Sequence, residues 1–421
     1  MPALTPMALY IDQQQLQNEL ETLAGFSSEA APVVTRVIYS EADRQARSWF
    51  KSLLDETGLS VREDAIGNTF ARWTGRDPAL PAIGTGSHID AIPNAGRYDG
   101  TVGVLGALEA IRALQRSGFR PRRSIELLLF TAEEPTRFGI GCLGSRMISG
   151  ALTAEAARRL RDPQGSSLDK LRTDAGFTGA LEDVVLPGGY YERFVELHIE
   201  QGPILEREGL SIGVVESIAA PAGLNIAIEG EGGHAGTVLM PDRKDALMAA
   251  AELALAIESL ARSSGGADTV ATVGKCDVFP GAVNSIPSRV TLTLDLRDTD
   301  GARRDAVLDR ILQACKDLAA RRGVRIAPEL LNADAPAQCD ARIIQAVRGA
   351  CESRQISFRM MVSRAYHDSL FVSRIAPAAM IFIPCRGGVS HRPDEYSSPE
   401  QIATGVTVLA ETLARLAGEA A

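Results

Sequence analysis

Gly86-Ser87-His88-Ile89-Asp90-Ala91-Ile92-Pro93-Asn94-Ala95-Gly96-Arg97-Tyr98-Asp99-Gly100 is the stretch that decides the fold. An apolar, strand-like run (80–84) leads into it, and a segment apolar on nearly every face (101–115) follows. Strand, polar turn and buried helix in that order are local marks of an α/β sheet, which presents its chemistry beyond the carboxyl ends of its strands. One imidazole and two carboxylates fall in that position, set among glycines. This is the grammar of a metal site.

Working outward, 11–25 and 41–58 carry helical spacing, the second helix beginning near Ser40 with Glu41 and Asp43 in its first turn. Residues 59–73 read as a strand pair around Ala65-Ile66-Gly67-Asn68. The run 124–130 is continuously apolar, as in a central parallel strand covered on both faces. It ends in Thr131-Ala132-Glu133-Glu134-Pro135, and 194–203 repeats the pattern through His198 and Gln201. Residues 151–192 are polar with helical patches. From about residue 213 the order becomes strand (224–229), helix (242–262), strands (269–278 and 289–296), helix (301–322) and strand (324–329), which is the ferredoxin-like plan. A helix (341–354), strands (358–362 and 378–384) and a terminal helix (399–417) complete the chain. The expected fold class is therefore α/β: a discontinuous domain over 1–212 and 331–421, with a central mixed sheet flanked by helices, interrupted by a ferredoxin-like α+β insert at 213–330.

Composition narrows the partners. A chain of 421 residues is long for one core, and 45% hydrophobic with 23% charged residues is ordinary for a globular protein. The formal charge of −9 argues against nucleic acid or an anionic membrane and for a small molecule. Six scattered cysteines read as reduced thiols. Neither a leader-like N-terminus nor a run of the ~20 apolar residues needed by a membrane helix is evident, so a cytoplasmic location is expected.

The five histidines, His88, His198, His234, His367 and His391, all sit in glycine- or carboxylate-rich loops after strand-like runs. A single histidine is more often structural than a ligand, but five in such loops weaken that reading. Divalent manganese, zinc or cobalt takes three or four ligands per ion from imidazole and carboxylate. His88, Asp99, Glu134, His198 and His391 are the candidates; five side chains complete two sites only if one carboxylate bridges, and Asp99 is placed for that. Two such ions would share and activate a water and polarise a carbonyl. Asp90, two residues from His88, is placed to hold that imidazole's other nitrogen. Glu133 and Glu134 point apart if the backbone is extended, leaving one free as general base. The bland alternative makes both solvent-facing loop acids.

These residues resemble the M20 metallopeptidase clan, within it the amidase, hydantoinase and carbamoylase branch of N-carbamoyl-L-amino acid hydrolases, allantoate amidohydrolases and ureidoglycolate amidohydrolases. The stretch 86–100, Glu133-Glu134 with Arg137-Phe138, the run 196–203, Gly233-His234-Ala235-Gly236 and Gly387-Gly388-Val389-Ser390-His391 carry the resemblance across nearly the whole chain. It implies a metallopeptidase-like catalytic domain and two divalent ions, manganese first. His88, Asp99 and His198 would hold one ion; Asp99, Glu134 and His391 the other. Glu133 matches the general base and Asp90 the acid behind His88. His234, Asn284, Arg297 and Gln201 match substrate-gripping positions, with His234 and Asn284 donated across a homodimer formed through the inserted lid domain. Arg297 suits a carboxylate held bidentately and His234 an oxyanion.

Substrate choice turns on Ser363-Arg364-Ala365-Tyr366-His367-Asp368-Ser369. With Arg364 and Tyr366 in place of smaller residues, this loop looks most like plant-type ureidoglycolate amidohydrolases, which implies a small ureido acid releasing ammonia and carbon dioxide. Arg364 and Tyr366 would narrow the pocket, or else pack the loop for stability; His367 is not counted as a ligand. Allantoate, N-carbamoyl amino acids, an aminoacylase or dipeptidase, and a non-catalytic binding protein are the alternatives. A serine or cysteine nucleophile is disfavoured, because no Gly-x-Ser-x-Gly elbow occurs.

Overall fold

Ala378–Ile383, Tyr191–Ile199, Ala82–His88 and Ile125–Phe130 lie side by side and parallel at the centre of a mixed sheet. Thr69–Trp73 and Ser60–Glu63 extend one side antiparallel, and Ile212–Ile218 pairs antiparallel with Ala378–Ile383 on the other. The computed structural model describes residues 8–418.

The sheet is covered on both faces, as its runs of apolar residues require. Side chains alternate across a strand, so Leu127 and Leu129 join Val195, Leu197 and Ile199 in one core, while Leu128 and Phe130 join Phe194 in another. The first core is completed by helices Gln13–Gly25, Glu41–Glu56, Thr101–Arg116, Ala341–Ser353 and Pro399–Gly418. Thr101–Arg116 is buried at every position from Thr101 to Leu114, the consequence of its all-round apolar sequence. The second core draws on the segment just before the polar stretch 151–192 and on that stretch itself, whose sequence showed only helical patches. There short helices, Leu143–Ile148, Ala154–Arg159 and Leu168–Asp174, insert Leu143, Met147, Ile148 and Leu168.

The chain divides into two units, one running to Glu216 and resuming over Gln338–Ser363 and from His367, the other comprising Ser217–Ala337 with Arg364–Tyr366. The second unit has a four-stranded antiparallel sheet in the order Val270–Phe279, Arg289–Asp298, Ala220–Glu229, Arg325–Ala333. Helices Ala246–Arg262 and Gly301–Arg322 cover one face, meeting Leu224, Ile226, Ile228, Leu292, Leu294 and Leu296. Connection order and strand order are those of the ferredoxin-like plan. A small two-stranded ribbon pairs Gly233–His234 antiparallel with Ser285–Ile286.

Candidate metal centre

The loops leaving the carboxyl ends of the four parallel strands converge. His88 ends its strand, His198 sits one residue before the end of Tyr191–Ile199, Glu133 and Glu134 follow Ile125–Phe130, and His391 lies in the loop after Ala378–Ile383. Asp99 joins them from the turn leading into Thr101–Arg116.

Asp99 is central. Its Oδ1 lies 3.2 Å from His198 Nε2 and 3.6 Å from His88 Nε2, and its Oδ2 lies 3.2 Å from His391 Nε2. Glu134 Oε1 stands 3.4 Å from the same nitrogen of His391. The two oxygens of one carboxylate thus face different imidazoles. Ligand atoms of His88, Asp99 and His198 lie within 4.8 Å of one another, and so do those of Asp99, Glu134 and His391.

The imidazoles present the right atoms. His88 Nδ1 donates to the Asp90 carbonyl at 3.0 Å, and His198 Nδ1 to the Ile199 carbonyl at 3.0 Å. A carbonyl only accepts, so each ring keeps a proton on Nδ1 and turns its Nε2 inward. Gly100 makes room: its φ is +67°, and a Cβ there would lie 2.4 Å from His88 Nε2.

Burial and neighbouring charges displace the proton affinities of the cluster strongly. Burial, with the like charge of Asp99, pushes the Glu134 carboxyl up to about 7, and burial drives Glu133 well above the usual carboxylate range. Burial opposes charge on His88, but Glu133, Asp99 and Asp90 outweigh it and hold its proton. His391 is raised to about 9, chiefly by its hydrogen bond to Asp99. Carboxylates kept close together in a buried place, with imidazoles between them that give up a proton to offer a nitrogen, form a donor set that a divalent cation satisfies in place of those protons.

Glu133 stands beside this set: its Oε2 is 3.7 Å from His88 Nε2, and its Oε1 accepts the Cys142 thiol at 3.3 Å. Ala132, at φ +53°, bends the backbone ahead of the pair. One expectation is corrected at Asp90. Its carboxylate stays 3.7 Å from His88 Nδ1, and the backbone carbonyl takes that hydrogen bond instead. The carboxylate accepts the backbone N–H groups of Glu133 at 3.2 Å and Glu134 at 3.0 Å, so it steadies the acids rather than the ring.

Gln201, at φ +54°, donates through Nε2 to Asp99 Oδ2 at 2.6 Å, while its Oε1 is buried with no hydrogen-bond partner among the described residues. Glu196 was missed by the sequence reading, although strand alternation places it on the same face as His198. Glu196, His198 and His367 form a third close group, with the His198 and His367 rings 4.4 Å apart. Both nitrogens of His198 are already engaged, so this group is a support: Glu196 accepts the Ser87 hydroxyl at 2.7 Å and the Ser369 hydroxyl at 2.7 Å.

The second unit holds the remaining sequence candidates. His234 and Asn284 lie at the small two-stranded ribbon, where Ala235 N–H donates to the Asn284 carbonyl at 2.9 Å. Arg297 donates to both oxygens of Asp295 at 2.8 Å and lies 5.5 Å from the centre of the Tyr366 ring. Arg364 donates to Asp268 at 2.5 Å, and its carbonyl accepts from Arg297 at 3.3 Å. Strand residue and distant loop thus meet in one cluster.

With this fold and site, the chain belongs to peptidase family M20/M25/M40, whose sequence pattern matches residues 84–415, and it is a hydrolase of amide C–N bonds. Among its relatives, it is 52% identical to a ureidoglycolate hydrolase of Oryza sativa subsp. japonica, over 97% of this chain and 85% of that one. It is 35% identical to an N-carbamoyl-L-amino-acid amidohydrolase of Pseudomonas sp. (strain NS671), over 96% of this chain and 98% of the relative. The crystal structure of AtUAH in complex with glyoxylate superimposes with a TM-score of 0.89 at 52% identity, covering 97% of this chain and 99% of the other. No helix among the described residues is long and apolar enough to cross a membrane.

Proposed function

We propose that the protein hydrolyses the ureido C–N bond of a small carboxylic acid, with ureidoglycolate as its substrate. Water adds to the ureido carbonyl carbon, the bond from that carbon to the substituted nitrogen breaks, and the resulting carbamate decays to ammonia and carbon dioxide. The observation that carries the chemistry is the pair of donor groups sharing Asp99 at the ends of four parallel strands. The choice of substrate is supported by 52% identity to the rice ureidoglycolate hydrolase, against 35% for the N-carbamoyl relative.

His88, Asp99 and His198 would hold one divalent ion and Asp99, Glu134 and His391 a second. When bound, these ions, manganese first with zinc or cobalt as alternatives, would supply Lewis acidity for the carbonyl and for the attacking water. Glu133 takes the proton from that water and passes it to the leaving nitrogen. Asp90 keeps Glu133 in place through the backbone. Gln201 Oε1, buried without a partner, accepts a ureido N–H. Arg297 leaves Asp295 to hold the substrate carboxylate bidentately, with Arg364 and Tyr366 shaping its surroundings, while His234 and Asn284 serve the substrate from a second copy of the chain.

Ammonia release by the manganese-loaded protein across ureidoglycolate, allantoate, N-carbamoyl-β-alanine and several N-carbamoyl-L-amino acids tests the substrate. Ureidoglycolate should lead in kcat/KM by roughly tenfold or more, about 1.4 kcal/mol of discrimination. A flat profile overturns that choice. Activity that survives complete chelation overturns the metal chemistry.

A further inference from the structure

Glu395 lies in the C-terminal segment after His391, far in sequence from every other acid of the centre, and is only 4% exposed. Its Oε1 accepts two consecutive backbone N–H groups, Tyr98 at 2.7 Å and Asp99 at 3.0 Å. Its Oε2 lies 2.9 Å from the hydroxyl of Ser390, the residue before His391, and that hydroxyl lies 2.7 Å from Asp99 Oδ2. One side chain is thereby fastened both to the backbone of the shared acid and to the loop carrying the exposed imidazole.

The neighbourhood is built to admit it. A Cβ at Gly96 would fall 2.4 Å from Glu395 Cβ and 2.6 Å from its Oε1, so only glycine lets the carboxylate approach the turn. Asp90 likewise accepts two consecutive N–H groups, that of Glu133 on Oδ1 and that of Glu134 on Oδ2. The acid-bearing turns on both sides of the centre are each pinned by a buried carboxylate through a pair of consecutive amides. Such bonds from backbone N–H to a charged acceptor are among the stronger ones, and groups supporting a ligand tune the site nearly as much as the ligand does.

We propose that Glu395 is a positioning residue that sets where Asp99 stands relative to His391, and so determines whether the two donor groups can share one carboxylate. The proposal rests on the two-ion reading above. Its action needs the acceptor oxygen on the two amides rather than the negative charge, which separates it from a general electrostatic contribution to cation binding.

Calorimetric titration with manganese(II) alone, on the full chain stripped of metal, tests it with Glu395→Ala, Glu395→Gln and Gly96→Ala, alongside the melting temperature and kcat and KM for ureidoglycolate. Glu395→Ala should weaken manganese binding by roughly 10- to 100-fold, most at the ion shared between Asp99 and His391, and lower kcat with little change in KM at a fixed manganese concentration. Glu395→Gln, which keeps an oxygen for both amides, should bind within about threefold of the parent, an order-of-magnitude margin against the loss expected of Ala. Gly96→Ala should reproduce the Ala defect without removing any carboxylate, and its melting temperature shows that the chain is folded. Manganese binding in Glu395→Ala equal to the parent's overturns the proposal, as does a Gln variant as impaired as Ala. A parent chain that binds no manganese overturns the two-ion reading itself, an outcome distinct from a parent that binds normally beside an unimpaired Ala variant.

Discussion

At the residue scale, Glu133 and Glu134 are neighbours with different surroundings. Glu134 faces His391 at 3.4 Å, whereas Glu133 faces His88 at 3.7 Å and the Cys142 thiol at 3.3 Å. Glu133→Gln keeps the shape and removes the basic oxygen. It should reduce kcat by roughly 10²- to 10⁴-fold while manganese binding by calorimetry stays near the parent's. A normal rate reassigns the base; lost manganese binding makes Glu133 a ligand. The candidate ligand types could be picked out in the sequence because five histidines and several acids gather in loops beyond strand-like runs, where an α/β sheet presents its chemistry. The duty of Asp90 was not. Two-residue spacing from His88 describes which side an extended segment shows, but the carboxylate turned to the Glu133 and Glu134 amides of another loop, a partner that spacing cannot reveal. Glu395 was not singled out from the sequence, for the same reason.

At the element scale, the four parallel strands act as the platform: their alternation decides which of the two cores a side chain enters, and their carboxyl ends carry the site. Leu129 is fully buried among the helices on one face, one residue from Phe130 on the other. Leu129→Ala should cost about 2–5 kcal/mol of unfolding free energy, read from the denaturant midpoint, because a close-packed sheet face collapses poorly around the cavity. A loss below ~1 kcal/mol would mean the face repacks freely. Long periodic segments were read closely: the helix expected over 301–322 is Gly301–Arg322. Short ones were not, since Leu143–Ile148 and Asp368–Val372 have too few turns to display a period and are held by burial of nearly every side chain.

At the scale of the whole molecule, the second unit carries most of the exposed large apolar side chains among the described residues, including Leu239, Met240, Leu255, Phe279, Leu330 and Leu331. Apolar surface gathered on one unit is the kind that association covers. It supports the proposed homodimer through this unit, and sedimentation should return twice the mass of one chain. A single-chain mass at catalytic concentration, with full turnover, removes the need for His234 and Asn284 from a second copy.

By itself the sequence determined the α/β class, the ferredoxin-like insert, and the residue types able to hold divalent ions, because periodicity, turn residues and donor chemistry are local properties. Only the tertiary structure decided which donors share an acid. Asp99 meets His391 across about two thirds of the chain's length, and Arg297 meets Tyr366 from a distant loop. The first pairing follows from the order of the parallel strands in the central sheet, the second from the return of the loop at Tyr366 to the second unit, and neither is written in the spacing of neighbouring residues.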